Sequence, residues 1–247
     1  MKELKLSIIT VTYNSEKYIS QTIDSVLRQK EYLFEYWIID GMSTDKTLDI
    51  VKSYEHLFEG KLKVLSEKDT GIYDAMNKGI RLAIGDIIGI INSDDYYYDY
   101  SFKAVLDIFQ NHNDISLVYS DVCRITMSGE QKCIINGNIK DLKLGMSLNH
   151  PSCFIKKKVY EDFGFYNLNY PIAADYELAL RLRKCNVKMQ KCICILAAYR
   201  EGGASNISKD NIRETYLIQK KYIGSVWATY IYVKSHIRYI LKGNLFN

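Results

Sequence analysis

The sequence predicts an α/β protein: a mostly parallel sheet flanked by helices. Three observations carry that prediction. Runs of β-branched residues alternate with segments of helical apolar spacing four times over about the first 110 residues, and strands separated this way pair in parallel through right-handed crossovers. The stretch Ile87–Asp95 (Ile-Ile-Gly-Ile-Ile-Asn-Ser-Asp-Asp) starts as a strand apolar on both faces, as inside a parallel sheet. The early strands also run out at acids, with Asp40 ending the second, Asp69 following the third, and Asp94 and Asp95 ending the fourth. In open α/β sheets, ligands bind beyond the carboxyl ends of the strands.

Taken in order, Leu6–Thr12 is the first buried strand. Asn14 or Ser15 would cap a helix reaching about Gln29, with Ile19, Ile23, Val26 and Leu27 as its stripe. Tyr36–Asp40 is a second, short strand. The turn Gly41–Asp45 leads into a helix carrying Leu48, Ile50, Val51 and Tyr54. Leu62–Ser66 is the third strand, and Asp69 or Thr70 would cap the next helix, which bears Ile72, Ala75, Met76, Gly79, Ile80 and Ala83. The fourth strand follows, then a helix from near Tyr100. The second half is less regular: a strand at Ser116–Val122, a polar hairpin-like region over 124–138, and a short strand at Cys153–Lys156. A helix at Ala173–Lys184, a strand at Val187–Ile195 and one long helical tail from about Ser208 complete the chain. No change of composition marks a linker.

Composition narrows the function. A hydrophobic content of 47% with 25% charged residues describes a globular protein. The six cysteines form no Cys-x-x-Cys pair, which argues against zinc; free thiols in a cytoplasmic setting are the simplest account. The N-terminus lacks a secretory h-region, and no apolar run is long enough to span a bilayer. The net charge of +4 is uneven: residues 212–247 carry six Lys/Arg against the single Glu214. The rest of the chain is slightly acidic and has no recognition motif, so nucleic acid is not an expected partner.

After the first strand stands Thr12-Tyr13-Asn14-Ser15-Glu16, with neither Gly-x-Gly-x-x-Gly nor a Walker lysine loop. A nucleotide would have to be held by side chains at strand ends and by a metal, rather than by a glycine-rich backbone. Two adjacent acids such as Asp94-Asp95 repel each other unless a cation or hydrogen bonds offset the charge, and oxygen-seeking Mg²⁺ or Mn²⁺ suits them. The competing structural role for this pair is an Asp-rich turn before the helix near Tyr100.

Seven motifs in order resemble the signatures of family-2 inverting glycosyltransferases, and most closely the branch that builds bacterial O-antigen, capsule and related surface polysaccharides. They are Ile8-Ile-Thr-Val-Thr-Tyr-Asn14, Asp40-Gly-Met-Ser-Thr-Asp45, Glu67-Lys-Asp-Thr-Gly-Ile-Tyr-Asp-Ala-Met-Asn-Lys-Gly79, Asn92-Ser-Asp-Asp95, His150-Pro, Ala174-Asp-Tyr-Glu-Leu178 and Gly202-Gly-Ala-Ser205. The resemblance implies the GT-A fold, a Rossmann-like nucleotide-diphospho-sugar transferase sheet, over residues 1–206. A donor-binding half would cover 1–95, an acceptor and catalytic half 96–206, and a basic helical extension 207–247.

The resemblance also implies roles. Thr12, Tyr13 and Asn14 would line the base and ribose pocket, with Asp40 on the base's polar edge, where a carboxylate can accept the imide N–H of uracil. A turn-capping role for Asp40 competes with this. Asp69, Gly71, Asp74, Asn77 and Lys78 would surround the donor's ribose and sugar; an Asp74–Lys78 ion pair is the structural rival for the lysine. Asn92, Ser93 and Asp94 occupy the family's Asp-x-Asp place with Asn in its first slot, so either Asp94 or Asp95 would be the principal Mn²⁺ or Mg²⁺ ligand. Asp175 resembles the general base. It shares a helical face with Leu178, Ala179 and Leu182, whereas Glu177 aligns with Arg181 and Lys184, where a solvated ion pair suffices. His150 resembles an acceptor-side position, and Gly202, Gly203 and Arg200 a loop that closes on the diphosphate.

These residues describe a metal-dependent enzyme that passes a sugar from a nucleotide donor, UDP-linked by preference, to a glycan or lipid-linked acceptor. A non-catalytic nucleotide-sugar or glycan-binding module is the first rival, but Asp175, Asp94 and Asp95 are all present. A nucleotidyltransferase is the second, and it would need a glycine-rich basic loop that is absent. In the tail, Ile223, Val226, Trp227, Tyr230, Ile231, Ile237, Ile240 and Leu241 recur at helical spacing among Lys220, Lys221, Lys234, Arg238 and Lys242. Such a helix suits an anionic membrane, the inner face of the plasma membrane by the resemblance, or packing on the core or on a second copy of the chain.

Overall fold

In the computed structural model, which describes residues 3–202 and 208–243, the first seven elements follow the expected alternation. They are β1 (Leu6–Thr12), α1 (Ile19–Leu27), β2 (Leu33–Asp40), α2 (Thr47–Tyr54), β3 (Leu62–Ser66), α3 (Ile72–Leu82) and β4 (Ile87–Asn92). The four strands pair in parallel in the order β4-β1-β2-β3, in a register that sets Val11 beside Asn92, Thr12 beside Asp40 and Asp40 beside Ser66. Their carboxyl ends therefore form one rim.

Alternate residues supply two cores. Ile9, Val11, Ile39, Ile88 and Ile90 face α3, while Ile8, Ile38, Ile87 and Ile91 face α1. Period-two alternation with apolar residues in both phases is what a doubly covered parallel sheet requires.

After β4 the chain builds β5 (Tyr96–Tyr97), α4 (Ser101–Asn111), β6 (Leu117–Tyr119), β7 (Val122–Ile125), β8 (Gln131–Ile135) and β9 (Phe154–Lys156). It continues through α5 (Lys157–Phe163), α6 (Ala174–Lys184), β10 (Met189–Lys191), β11 (Ala197–Arg200), α7 (Lys209–Tyr222) and α8 (Ser225–Gly243). Strand β9 enters the main sheet antiparallel beside β4, with β6 and β10 beyond it. Strands β5, β11, β7 and β8 form a second, smaller sheet.

Several expected elements are corrected. The single strand at 116–122 is two strands in different sheets, because the Ser120 amide donates to the Ser152 hydroxyl at 3.0 Å and leaves the ladder. The strand at 187–195 is only β10; Ile193 is fully exposed, and the chain re-forms as β11, which carries no β-branched residue. The hairpin over 124–138 is present as β7 and β8.

Neither Asn14 nor Ser15 caps α1, whose N-cap is Tyr18, and Gly71 stands at the N-cap of α3, in place of Asp69 or Thr70. The tail is two helices. It breaks at Gly224, with φ at +120°, where the Ile223 and Gly224 amides both donate to the Gln219 carbonyl.

Candidate active site

At the ends of β1 and β2, hydrogen bonds decide which oxygens remain free. Asp40 is fully buried. Its carboxylate accepts from the Ser43 amide and hydroxyl and from the Ser66 hydroxyl at 2.6 Å. It holds the 40–43 turn and cannot present an edge to a base, so the base-edge role is corrected to the turn-capping one. Asn14, in the left-handed region, accepts the Thr44 amide at 2.8 Å and is likewise part of the loop scaffold.

Tyr13 is exposed, and with Asp69 it flanks Gly41. A Cβ at Gly41 would lie 2.6 Å from Asp69 Oδ2 and 3.5 Å from the Tyr13 ring. One Asp69 oxygen accepts the Gly71 amide at 3.0 Å. The Asp69 carboxylate therefore packs closely on the Gly41 backbone, with the Tyr13 ring alongside, an approach that only a residue without a Cβ allows. Beside it, the buried Thr12 hydroxyl has no hydrogen-bond partner.

At the end of β4, Ser93 donates to or accepts from Ser15 at 2.6 Å, which pins the turn to the first strand. Asp95 is buried, and its Oδ1 accepts the Arg200 amide at 2.8 Å. Burial first, then the charge of Asp94, pushes its carboxyl well above the usual range. Asp94 is only partly covered, and burial pushes it up as well.

Arg200 is buried and serves the scaffold. Its guanidinium donates to the carbonyls of Asp94, Thr126 and Met127 and to the Gln21 side chain, and lies 4.4 Å over the Tyr18 ring. It clamps the acidic turn to α1 and the β7–β8 hairpin, with four of its five N–H groups engaged within the protein. Gly202 has φ at +106°; Gly203 lies outside the described residues.

The third part of the site is a recess of roughly 20 Å³, room for about one water, lined by Met146, Leu148, His150, Cys153, Tyr166 and Asp175. Asp175 opens the first turn of α6, on the face shared with Leu178, Ala179 and Leu182, which also line the recess. Its Oδ1 accepts the Tyr73 hydroxyl at 2.9 Å. Burial, then the charge of Asp175, raises the Tyr73 phenol well above its ordinary value, so it remains a donor. Tyr73 sits in the first turn of α3, just past the carboxyl end of β3, and this connects Asp175 to the rim.

His150 Nε2 bonds the Tyr166 hydroxyl at 3.0 Å. Burial lowers its pKa, against the opposing charge of Asp175, so a neutral imidazole faces the recess.

Other expected donor contacts are scaffold. Asn77 is buried, and its amide pairs with both the N–H and the C=O of Tyr166. Lys78 bonds the Lys68 carbonyl at 2.7 Å and pairs with Glu67 at 3.0 Å; Asp74 is farther away at 3.9 Å. Asp74 instead accepts the Thr70 amide, which secures the start of α3. Glu177 is buried, not solvated; it pairs with Arg181 and accepts the Tyr222 hydroxyl. Sequence reasoning missed Tyr73 and Tyr166. The signal was available for Tyr73, which lies inside a quoted motif and one residue before Asp74.

Among the described residues no group of three or more His, Cys, Asp or Glu could hold a metal alone. The donor set still fits a hard divalent cation that keeps several waters and shares substrate oxygens. Asp94 offers a carboxylate whose burial disfavours its charge, and the buried Asn92 Oδ1 two residues earlier has no partner. Asp95 is buried and committed to the Arg200 amide, so Asp94 is the more open of the two acids.

Comparison with known proteins places these observations in context. The family model described as glycosyl transferase family 2 matches residues 7–162. A PGL/p-HBAD biosynthesis glycosyltransferase of Mycobacterium bovis is 31% identical over 207 residues, covering 83% of this chain and 80% of that protein. The structure of Staphylococcus aureus TarS 1-349 in complex with UDP-GlcNAc superposes with a TM-score of 0.68 at 18% identity, over 95% of this chain and 73% of that one. Mannosyltransferase PcManGT from Pyrobaculum calidifontis, in complex with GDP-Man and Mn²⁺, gives 0.65 at 15% identity, over 95% and 74%. At those identities the likeness is one of fold.

Proposed function

Because this chain belongs to glycosyl transferase family 2, we propose that it moves one sugar, with inversion, from a UDP-linked donor to a glycan or lipid-linked acceptor of a surface polysaccharide. The observation that carries the reading is Asp175, a partly open carboxylate that lines the recess and is held by the Tyr73 hydroxyl at 2.9 Å.

The chemistry needs one base. As the acceptor oxygen attacks the anomeric carbon, its proton passes to Asp175 and the bond to the donor's diphosphate oxygen breaks. Of the two acids on the first turn of α6, only Asp175 is open, since Glu177 is locked to Arg181 and Tyr222. Direct displacement of this kind, with one base and no covalent intermediate, inverts the anomeric centre. Tyr13, Gly41 and Asp69 would receive the nucleoside. Asp94, with the Asn92 amide oxygen, would hold Mn²⁺ or Mg²⁺. When bound, such a cation stabilises the negative charge growing on the leaving diphosphate. Neutral His150 supplies a hydrogen-bonding group to the acceptor's side of the recess. The UDP-GlcNAc complex of TarS supports the choice of nucleotide by fold analogy alone.

A thermal-shift panel of UDP-, GDP- and dTDP-sugars with and without Mn²⁺ identifies the donor. Transfer to lipid-linked acceptors is then measured for the wild type and two variants. Asp175→Asn is expected to lower kcat on the order of 10²- to 10⁴-fold, with donor affinity kept within a few fold. Tyr73→Phe keeps the ring against Tyr166 and removes only the hydroxyl, so kcat falls on the order of tenfold at unchanged KM. Unchanged turnover in Asp175→Asn removes it as the base.

A further inference from the structure

Helix α8 presents apolar residues on the side turned away from the protein. Its inner face packs on α7 through buried Ala228 and Ile231 and through Tyr232, whose ring lies 4.9 Å from that of Tyr216. On the opposite face Val226, Tyr230, Val233, Ile237 and Ile240 recur at helical spacing, each at least half exposed. An ordinary surface helix puts polar residues there. Lys234 and Arg238 lie along one flank of this face together with exposed Trp227. Residues 223–247 contain no Asp or Glu at all, and neither cation has a carboxylate partner among the described residues.

The geometry points to this face as a docking surface for an anionic lipid membrane, on which α8 lies flat. Charge selects the occupant. A second copy of the chain seated on the same face would bring Lys234 and Arg238 against their own counterparts, and like charges disfavour that contact. Nucleic acid would satisfy the cations but leave the five apolar side chains without a partner. A bilayer surface rich in acidic lipid accepts both, with the aliphatic side chains among the acyl tails, Trp and Tyr at the headgroup level, and Lys and Arg at the phosphates. No helix among the described residues is long and apolar enough to cross a membrane, so α8 would lie on the surface rather than span it.

Flotation of the full chain tests this with no donor present, so the result is independent of the transferase reading. Vesicles of phosphatidylcholine alone are compared with vesicles that also contain phosphatidylglycerol. The chain is expected to float with the anionic vesicles only, and less at high salt. The pair Val233→Asp and Ile237→Asp abolishes flotation; the pair Lys234→Glu and Arg238→Glu lowers partition more than tenfold. All four side chains face solvent, so the melting temperature should stay put. Independently of those variants, Trp227 fluorescence in a Trp37→Phe background should shift to the blue on adding anionic vesicles. Three results overturn the proposal: no flotation with anionic vesicles, flotation indifferent to both pairs, or a dimer abolished by the Asp pair in a chain that binds no vesicles.

Discussion

Burial decides which carboxylates can act and which can only hold the chain. Asp40, Asp95, Glu35 and Glu177 are all buried and all accept hydrogen bonds from within the protein, whereas Asp69, Asp94 and Asp175 keep part of their surface open. The residue types at the rim were legible in the sequence; their division into buried and open carboxylates was not. It depends on partners such as Ser66 for Asp40 and the Arg200 amide for Asp95, which lie 26 and 105 residues away. Glu35 shows what a scaffold acid does. Burial works to raise its pKa, but Lys63 at 2.8 Å, the Ser7 hydroxyl, the Ile84 amide and the Trp37 indole outweigh that and leave it below the usual value. A depressed carboxylate contributes stability that is fully present above the unfolded-state value of about 4.3 and lost as pH falls through the folded-state value. Glu35→Gln is therefore expected to cost roughly 1–3 kcal/mol at pH 7, and much less at pH 3. Urea melts at the two pH values measure the gap; an equal gap at both would locate the loss in packing rather than in the charge.

At the scale of elements, α3 joins the sheet to the chemistry. Its Gly79 rests directly on β1 and β2: a Cβ there would lie 2.6 Å from Ile9 Cγ2 and 3.1 Å from Ile39 Cγ1. Gly79→Ala gains about 1 kcal/mol of helix propensity, but overpacking costs roughly 1–3 kcal/mol. The expected result is a lower melting temperature and, because Tyr73 moves with the helix, a lower kcat as well. A variant as stable and as active as the wild type would show that the helix has slack. Strands β1 and β4 were legible because β-branched runs with polar stops occur there, and β3 as a short apolar stretch closed by Ser66. The division of 116–122 into β6 and β7 was not, because its cause is the Ser152 hydroxyl, 32 residues away. Strand β11 reads Ala-Ala-Tyr-Arg and is a strand only through its pairing with β5 and β7.

Over the whole molecule, parallel register gathers strand ends from distant parts of the chain, and this brings acids together at a cost. Burial pushes both Asp94 and Asp95 toward protonation, and at Asp95 the charge of Asp94 adds to it, so a divalent cation would offset the cost of ionising the rim. Mn²⁺ with UDP, at about a hundred times the dissociation constant, should stabilise the fold by about 2.7 kcal/mol. For a chain of this size that is roughly 5–10 °C in melting temperature. Asp94→Asn removes the ligand and also one of two neighbouring like charges. Its melting temperature without metal is therefore expected to equal or exceed that of the wild type, while the Mn²⁺-dependent increment disappears. The two effects have opposite signs, which separates a ligand from a structural acid. If Asp94→Asn instead melts several degrees lower without metal and keeps the Mn²⁺ increment, the carboxylate is scaffold and the cation, if bound, is held by other groups.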